Sequence, residues 1–288
     1  MGPSDQRPTR RPTAGRSGGK RTDRAGRPPS ADATPAAAPV PWGPDLPEGV
    51  SWTDLDDAVR AQLRDMPLTL AERVGGHLAA AGVLLEAEPD LAYEHAQTAR
   101  RLAQRVGAVR EAAGLTAYAT GRWAEAIAEL RAFRRFTGSP VHLPIIADCE
   151  RALGHPDRAL EVAADPAVAD LPPAVALELL LVEAGARRDL GQPEAALRLL
   201  DVAALRASGR PAWLPRLRYA YADALLALDR RDEARSWFAQ AAEVDPNGAT
   251  DAADRVLELD GTVFVDLSTD EENLASAVEP AADADRGD

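Results

Sequence analysis

Residues 219–247 read YAYADALLALDRRDEARSWFAQAAEVDPN. Two helical stretches, 212–228 and 231–244, meet at Asp229-Arg230. Ala222, Ala234 and Ala241 stand at offsets of twelve and seven, and Pro246 follows five residues on. A helix carrying small side chains on one face can lie close to its neighbour, toward the low end of the 8–10 Å range of interaxial distance. The stretch therefore predicts two antiparallel helices packed closely through alanine.

The same spacing recurs upstream. Gly114 precedes Ala126 by twelve residues, Ala147 precedes Ala159, and Ala184 leads to Ala196 and Ala203. Helix pairs are expected at 108–120 and 122–136, 140–153 and 156–164, and 173–190 and 193–207. Leu153-Gly154-His155-Pro156 and Leu190-Gly191-Gln192-Pro193 each offer a left-handed glycine to end one helix and a proline to open the next. Only two residues separate the periodic segments there, so the neighbours must be antiparallel. Before these pairs, 69–87 has helical spacing, and Pro89 opens a segment to about Val106 with Ala92, Ala96, Ala99 and Ala103 in one stripe. Thr53-Asp54-Leu55-Asp56 is expected to cap a first helix, and 248–259 to cover the open end of the stack. Thr262 to Leu267 reads as a short strand or clip.

Charge divides the chain of 288 residues. Residues 1–40 hold eight basic side chains against three acidic ones, net +5, and 260–288 hold nine acids against Arg286, net −8. With −13 overall, 41–259 carries −13 − 5 + 8 = −10. An acidic body disfavours broad contact with phosphate. Residues 1–45 and 261–288 are poor in large apolar groups, so a disordered basic arm and an acidic tail are expected around a domain at 46–260. Cys149 is the single cysteine, which fits a reducing cytoplasm, and no run reaches the roughly 18 apolar residues of a membrane span.

The offsets at Tyr219–Asn247, with Ala113-Gly114, Gly121-Arg122-Trp123, Glu125-Ala126 and Leu130 in Gly107–Gly138, resemble the tetratricopeptide repeat. The resemblance covers 108–247, with a degenerate unit at 69–105. It implies an all-α fold: a right-handed superhelical array of antiparallel helix pairs, an α-solenoid. The equivalent alanines are 33, 37 and 38 residues apart, so the family's period of about 34 is not kept. The resemblance also implies that the first helix of each pair lines a concave groove. The inward-facing set is then Glu111, Leu115, Tyr118, Asp148, Arg151, Leu181, Arg188, Arg216, Tyr219 and Asp223. The lysines and asparagines with which one branch of the family clamps a C-terminal carboxylate are replaced here by Glu111 and Leu115, Pro144 and Asp148, Leu181 and Gly185, and Tyr219 and Asp223.

No catalytic constellation, cofactor motif or metal site is expected. Ala14 to Arg21 approaches a phosphate loop but has Arg21 where the magnesium-binding hydroxyl belongs, and no strand precedes it. His77, His95, His142 and His155 have no histidine three or four residues away; His155 sits in a turn and the others are expected at the surface or groove. Glu125, Glu129, Glu178 and Glu183 are expected on solvated faces. The sequence thus predicts a protein- or peptide-binding scaffold, its partner an extended peptide of some basic character. The alternative is an RNA- or ribosome-associated factor acting through the basic arm. That arm is also a candidate occupant of the groove, facing Glu111, Asp148 and Asp223.

Overall fold

A computed structural model describes residues 43–261, so the expectations for the arm before residue 43 and for everything after residue 261 lie outside the described residues. Within them the chain is entirely helical, with α1 Asp57–Gln62, α2 Leu68–Leu84, α3 Pro89–Leu102, α4 Gly107–Ala119, α5 Trp123–Thr137 and α6 Leu143–Ala152. Then come α7 Pro156–Ala163, α8 Pro173–Asp189, α9 Pro193–Leu200, α10 Leu214–Leu226, α11 Arg231–Glu243 and α12 Ala252–Leu259. Short 3₁₀ turns lie at Trp52–Asp54, Pro166–Asp170 and Ala203–Arg206.

The helices pair as α2/α3, α4/α5, α6/α7, α8/α9 and α10/α11, and each pair packs on the next. In α10/α11 a ring contact shows the helices to be antiparallel. Tyr221 meets Trp237 at 5.1 Å between centroids, each eight residues from Asp229. The turns inside four pairs share one geometry. Gly121, Gly154 and Gly191 take positive φ of 71°, 77° and 70°, and Asp229 takes the same left-handed region at 57°. The next amide then closes back five residues: Arg122 N–H donates to the Ala117 carbonyl, His155 to Glu150, Gln192 to Arg187 and Arg230 to Leu225. This satisfies carbonyls that the helix end leaves open, and an L residue can supply the left-handed position when it is Asp.

Burial follows the small-residue pattern. Ala126, Ala147, Ala159, Ala196, Ala222, Ala234 and Ala241 are fully buried, as are Ala92, Ala96 and Ala99 on α3. Gly114 shows why size matters. A Cβ there would lie 2.5 Å from Leu130 Cδ2 and 3.3 Å from the Leu130 backbone nitrogen. The apolar core is a series of clusters, each joining neighbouring elements, as expected when every unit touches only the next. We expect Ala196→Leu and Ala234→Leu each to overpack such a contact and lower stability by about 1–3 kcal/mol. Urea denaturation followed by circular dichroism measures this; unchanged midpoints for both would place neither alanine at a close helix contact.

Several local expectations are corrected. The segment 193–207 is not one helix. It stops at Leu200, and the 3₁₀ turn lets Leu205 enter the same core as Leu200 and Leu217. Arg218 holds this connection by donating to the carbonyls of Leu205, Ala207 and Gln240. The first helix begins after Asp56, which makes no side-chain cap bond; Ser51 instead caps the preceding 3₁₀ turn, in a reciprocal arrangement with Asp54. His77 and His95 are buried between α2 and α3, not exposed. Glu129 is also buried, at 3% exposure. Its carboxylate accepts from Arg110 Nη1 at 2.6 Å and lies 2.8 Å from Arg100 Nε as an ion pair, so paired charge outweighs the desolvation that would otherwise expel it.

Candidate functional site: a groove along the first helices

The first helices of successive pairs also touch one another, α2 with α4, α6 with α8, and α8 with α10. Three clefts open along them. A mainly apolar cleft of about 180 Å³ lies between α1, α2 and α4, with Leu55, Leu78 and Leu85 on its floor and Glu111 and Leu115 in its lining. A second, of about 370 Å³, is lined by Tyr118 from α4, Pro144, Ile145, Asp148 and Arg151 from α6, Val175, Glu178, Leu181 and Val182 from α8, and Arg216 from α10, with Val141 just before α6. A third, of about 400 Å³, adds Tyr219, Ala220, Thr250 and Asp251 and shares Leu181 and Arg216 with the second.

Eight of the ten residues predicted for the groove therefore line these clefts. Arg188 and Asp223 do not; they bond to each other across α8 and α10. That pairing belongs to a ladder in which polar side chains one unit apart join. His142 Nε2 lies 2.7 Å from Glu111 Oε1. Tyr118 Oη donates to Asp148 at 2.7 Å, and Arg151 reaches Asp148 at 3.4 Å and Asp189 at 2.6 Å. The Arg151 guanidinium passes over Gly185, where a Cβ would lie 2.8 Å from its Cζ; any larger residue would obstruct that path. Arg216 meets Glu178 at 2.6 Å.

Burial, then the hydrogen bond to Asp148, raises the pKa of Tyr118, so this phenol stays protonated. Tyr219 is pushed up to about 12 by burial and by its bond to Asp251. Burial, with Arg151 nearby, lowers the pKa of Arg188 from its ordinary value. Cys149 lies behind Asp148 and is fully buried; desolvation pushes its thiol up to about 12, the range of an inert structural cysteine.

Sequence reasoning missed Val141, Ile145, Val175, Glu178 and Val182 in the second cleft. The signal was available. Stepping back three, four and seven residues from Asp148 gives Ile145, Pro144 and Val141, and stepping back three and six from Leu181 gives Glu178 and Val175.

Fold and groove define a stacked array of antiparallel helix pairs with a cleft along one side. No family model matches the chain, and no curated protein matches it. Among solved structures it is similar to a chain of the one described as "Structure of Naa15/Naa10 bound to HypK-THB". The identity is 15%, the TM-score 0.28, and the match covers 76% of this chain and 38% of that one.

Proposed function

We propose that this chain is a non-enzymatic scaffold of the tetratricopeptide type that holds an extended segment of another protein in the groove along its first helices. The observation that carries this reading is the continuity of the second and third clefts, which share Leu181 and Arg216 and draw side chains from four successive first helices. An extended peptide has the shape to follow such a path, with apolar anchors seated on Val175, Leu181 and Val182. The four paired glycine-or-aspartate turns and the buried alanines support the family reading. A right-handed superhelix belongs to that same reading, as does a cytoplasmic setting, where Cys149 would stay reduced.

A preference for basic peptides is the finer part. Glu111, Asp148 and Asp223 already pair with His142, Arg151 and Arg188, so a basic side chain must compete with partners in place. The same competition faces the N-terminal arm if it is to occupy the groove. Apolar anchoring is therefore the main source of affinity, and charge sets register. Selection from a displayed peptide library on the full chain tests this. Leu181→Glu should weaken the selected peptides at least about tenfold, since a charged side chain replaces an apolar anchor point shared by both clefts. Peptides that bind the variant equally well would place recognition elsewhere.

A further inference from the structure

The described residues separate charge along the stack. From Arg100 to Arg110 there are four arginines and no carboxylate, and from Leu130 to Ala147 three more and none. The fold brings these two stretches together. Tyr93 and Gln97 of α3 both bond to Glu125 of α5, and Arg100 pairs with Glu129 one turn further on, so α3 and α5 run side by side toward their C-terminal ends. Past α3 the chain stays beside α5: a Cβ on Gly107 would lie 2.9 Å from Thr137 Cγ2. The backbone at Arg105, two residues before Gly107, and at Arg135 and Phe136, just before Thr137, therefore lies at the same end of the α3/α5 pair.

Arg105 and Arg135 are exposed and form no ion pair among the described residues. Arg131, half exposed and paired with the buried Glu150, stands one turn back on α5. Phe136 is 49% exposed, a large aromatic at the surface that directly follows Arg134 and Arg135 in the sequence. Arginine in the last turn of a helix complements the helix dipole, which accounts for Arg100, Arg101, Arg134 and Arg135 taken singly. It does not call for Arg105, beyond the end of α3, or for an exposed phenylalanine.

We propose that this edge, formed by the ends of α3 and α5 and the 103–106 connection, binds single-stranded nucleic acid. The arginines contact successive phosphates, and Phe136 offers a face on which a base stacks. An acidic protein would use the arginines but gain little from an aromatic ring placed for a base. The surface is separate from the peptide groove: none of these residues lines its clefts.

The test uses the full chain, so that the basic arm is common to every sample. The probe is a fluorescent oligouridylate of about 15 nucleotides, near the upper site size of single-strand binders. Anisotropy is followed between roughly 50 and 200 mM salt. Arg105→Gln with Arg135→Gln should lower affinity at least about tenfold. It should also flatten the log–log salt dependence by about 1.4, or 0.7 for each lost phosphate contact. Phe136→Ala should weaken binding about fivefold or more with the salt slope unchanged, because stacking is not a charge contact. Equal binding by wild type and the double variant overturns the proposal. So does competition by an oligoglutamate of equal length as effective as that of unlabelled oligouridylate, which would mark an acidic-protein surface. Full affinity in Phe136→Ala likewise removes the case for nucleic acid.

Discussion

Lowering the pH from neutrality to about 5 will destabilise this protein through His77 and His95, well before its carboxylates are protonated. The two imidazoles face each other between α2 and α3, with Nδ1 atoms 2.9 Å apart and ring centroids 5.1 Å apart. One ring must donate and the other accept, so both being charged is incompatible with the contact. Burial, the neighbouring His95, and then Arg73 and Arg101 bring the pKa of His77 down from 6.5 to about 4. Burial lowers that of His95 as well, against a smaller opposing pull from Glu94. The folded state therefore prefers the neutral rings, while the unfolded chain takes up protons below about pH 6.5. Stability is fully present above that value and falls as the pH drops toward 4. A shift of this size in His77 alone corresponds to roughly 3 kcal/mol once the pH is below 4, of which about 2 kcal/mol is lost by pH 5. Urea denaturation near pH 7 and near pH 5 measures the loss. His77→Leu combined with His95→Leu should remove most of the difference. It should cost little at neutral pH, because it also removes His95 Nε2, a buried atom with no hydrogen-bond partner among the described residues. If the wild type and the double variant lose stability equally on acidification, the histidine pair is not the cause.

Glu129→Ala is expected to be the most damaging single substitution in the first half of the stack. Its carboxylate is 3% exposed and joins three helices: its own α5, α3 through Arg100 and α4 through Arg110. Arg110 in turn donates to the Gln104 carbonyl at 2.6 Å and so fixes the connection after α3. Removing Glu129 leaves the Arg110 guanidinium, itself only 16% exposed, without its counter-charge. Breaking a buried pair from one side costs about 3–5 kcal/mol. Glu178→Ala makes the contrast. Arg216 and Glu178 are 49% and 34% exposed, so their pair should contribute less than about 1 kcal/mol. Urea midpoints for the two variants should differ clearly. A loss below about 1 kcal/mol for Glu129→Ala would show that water already screens this site.

These polar contacts mark the limit of what the sequence made legible. The groove was half readable. Leu115, Leu181 and Tyr219 follow from helical spacing once one first helix is aligned with another. The ladder among Tyr118, Asp148, Arg151 and Asp189 was not readable, because its bonds link residues 30 and 38 apart and the unit lengths vary. The floor of the second cleft was legible in principle from the three- and four-residue steps along α6 and α8, whereas the pairing of Glu178 with Arg216, one unit away, was not.

By itself the sequence determined the helix pairs and their order. Gly154, Gly191 and the prolines after them act within a few residues, through backbone sterics and missing amide donors. The alanine offsets also act locally, because they repeat the separation of two facing positions across a short turn. Tertiary structure alone decided where polar groups go. Glu129 and Glu178 are chemically the same and both lie on helices; one is buried and the other half exposed. His77 and His95 are both helical residues, and their burial comes from the neighbouring helix that each packs against. Burial of a titratable group depends on partners brought in from another helix, and the free energy of an ion pair is set by how far those partners exclude water.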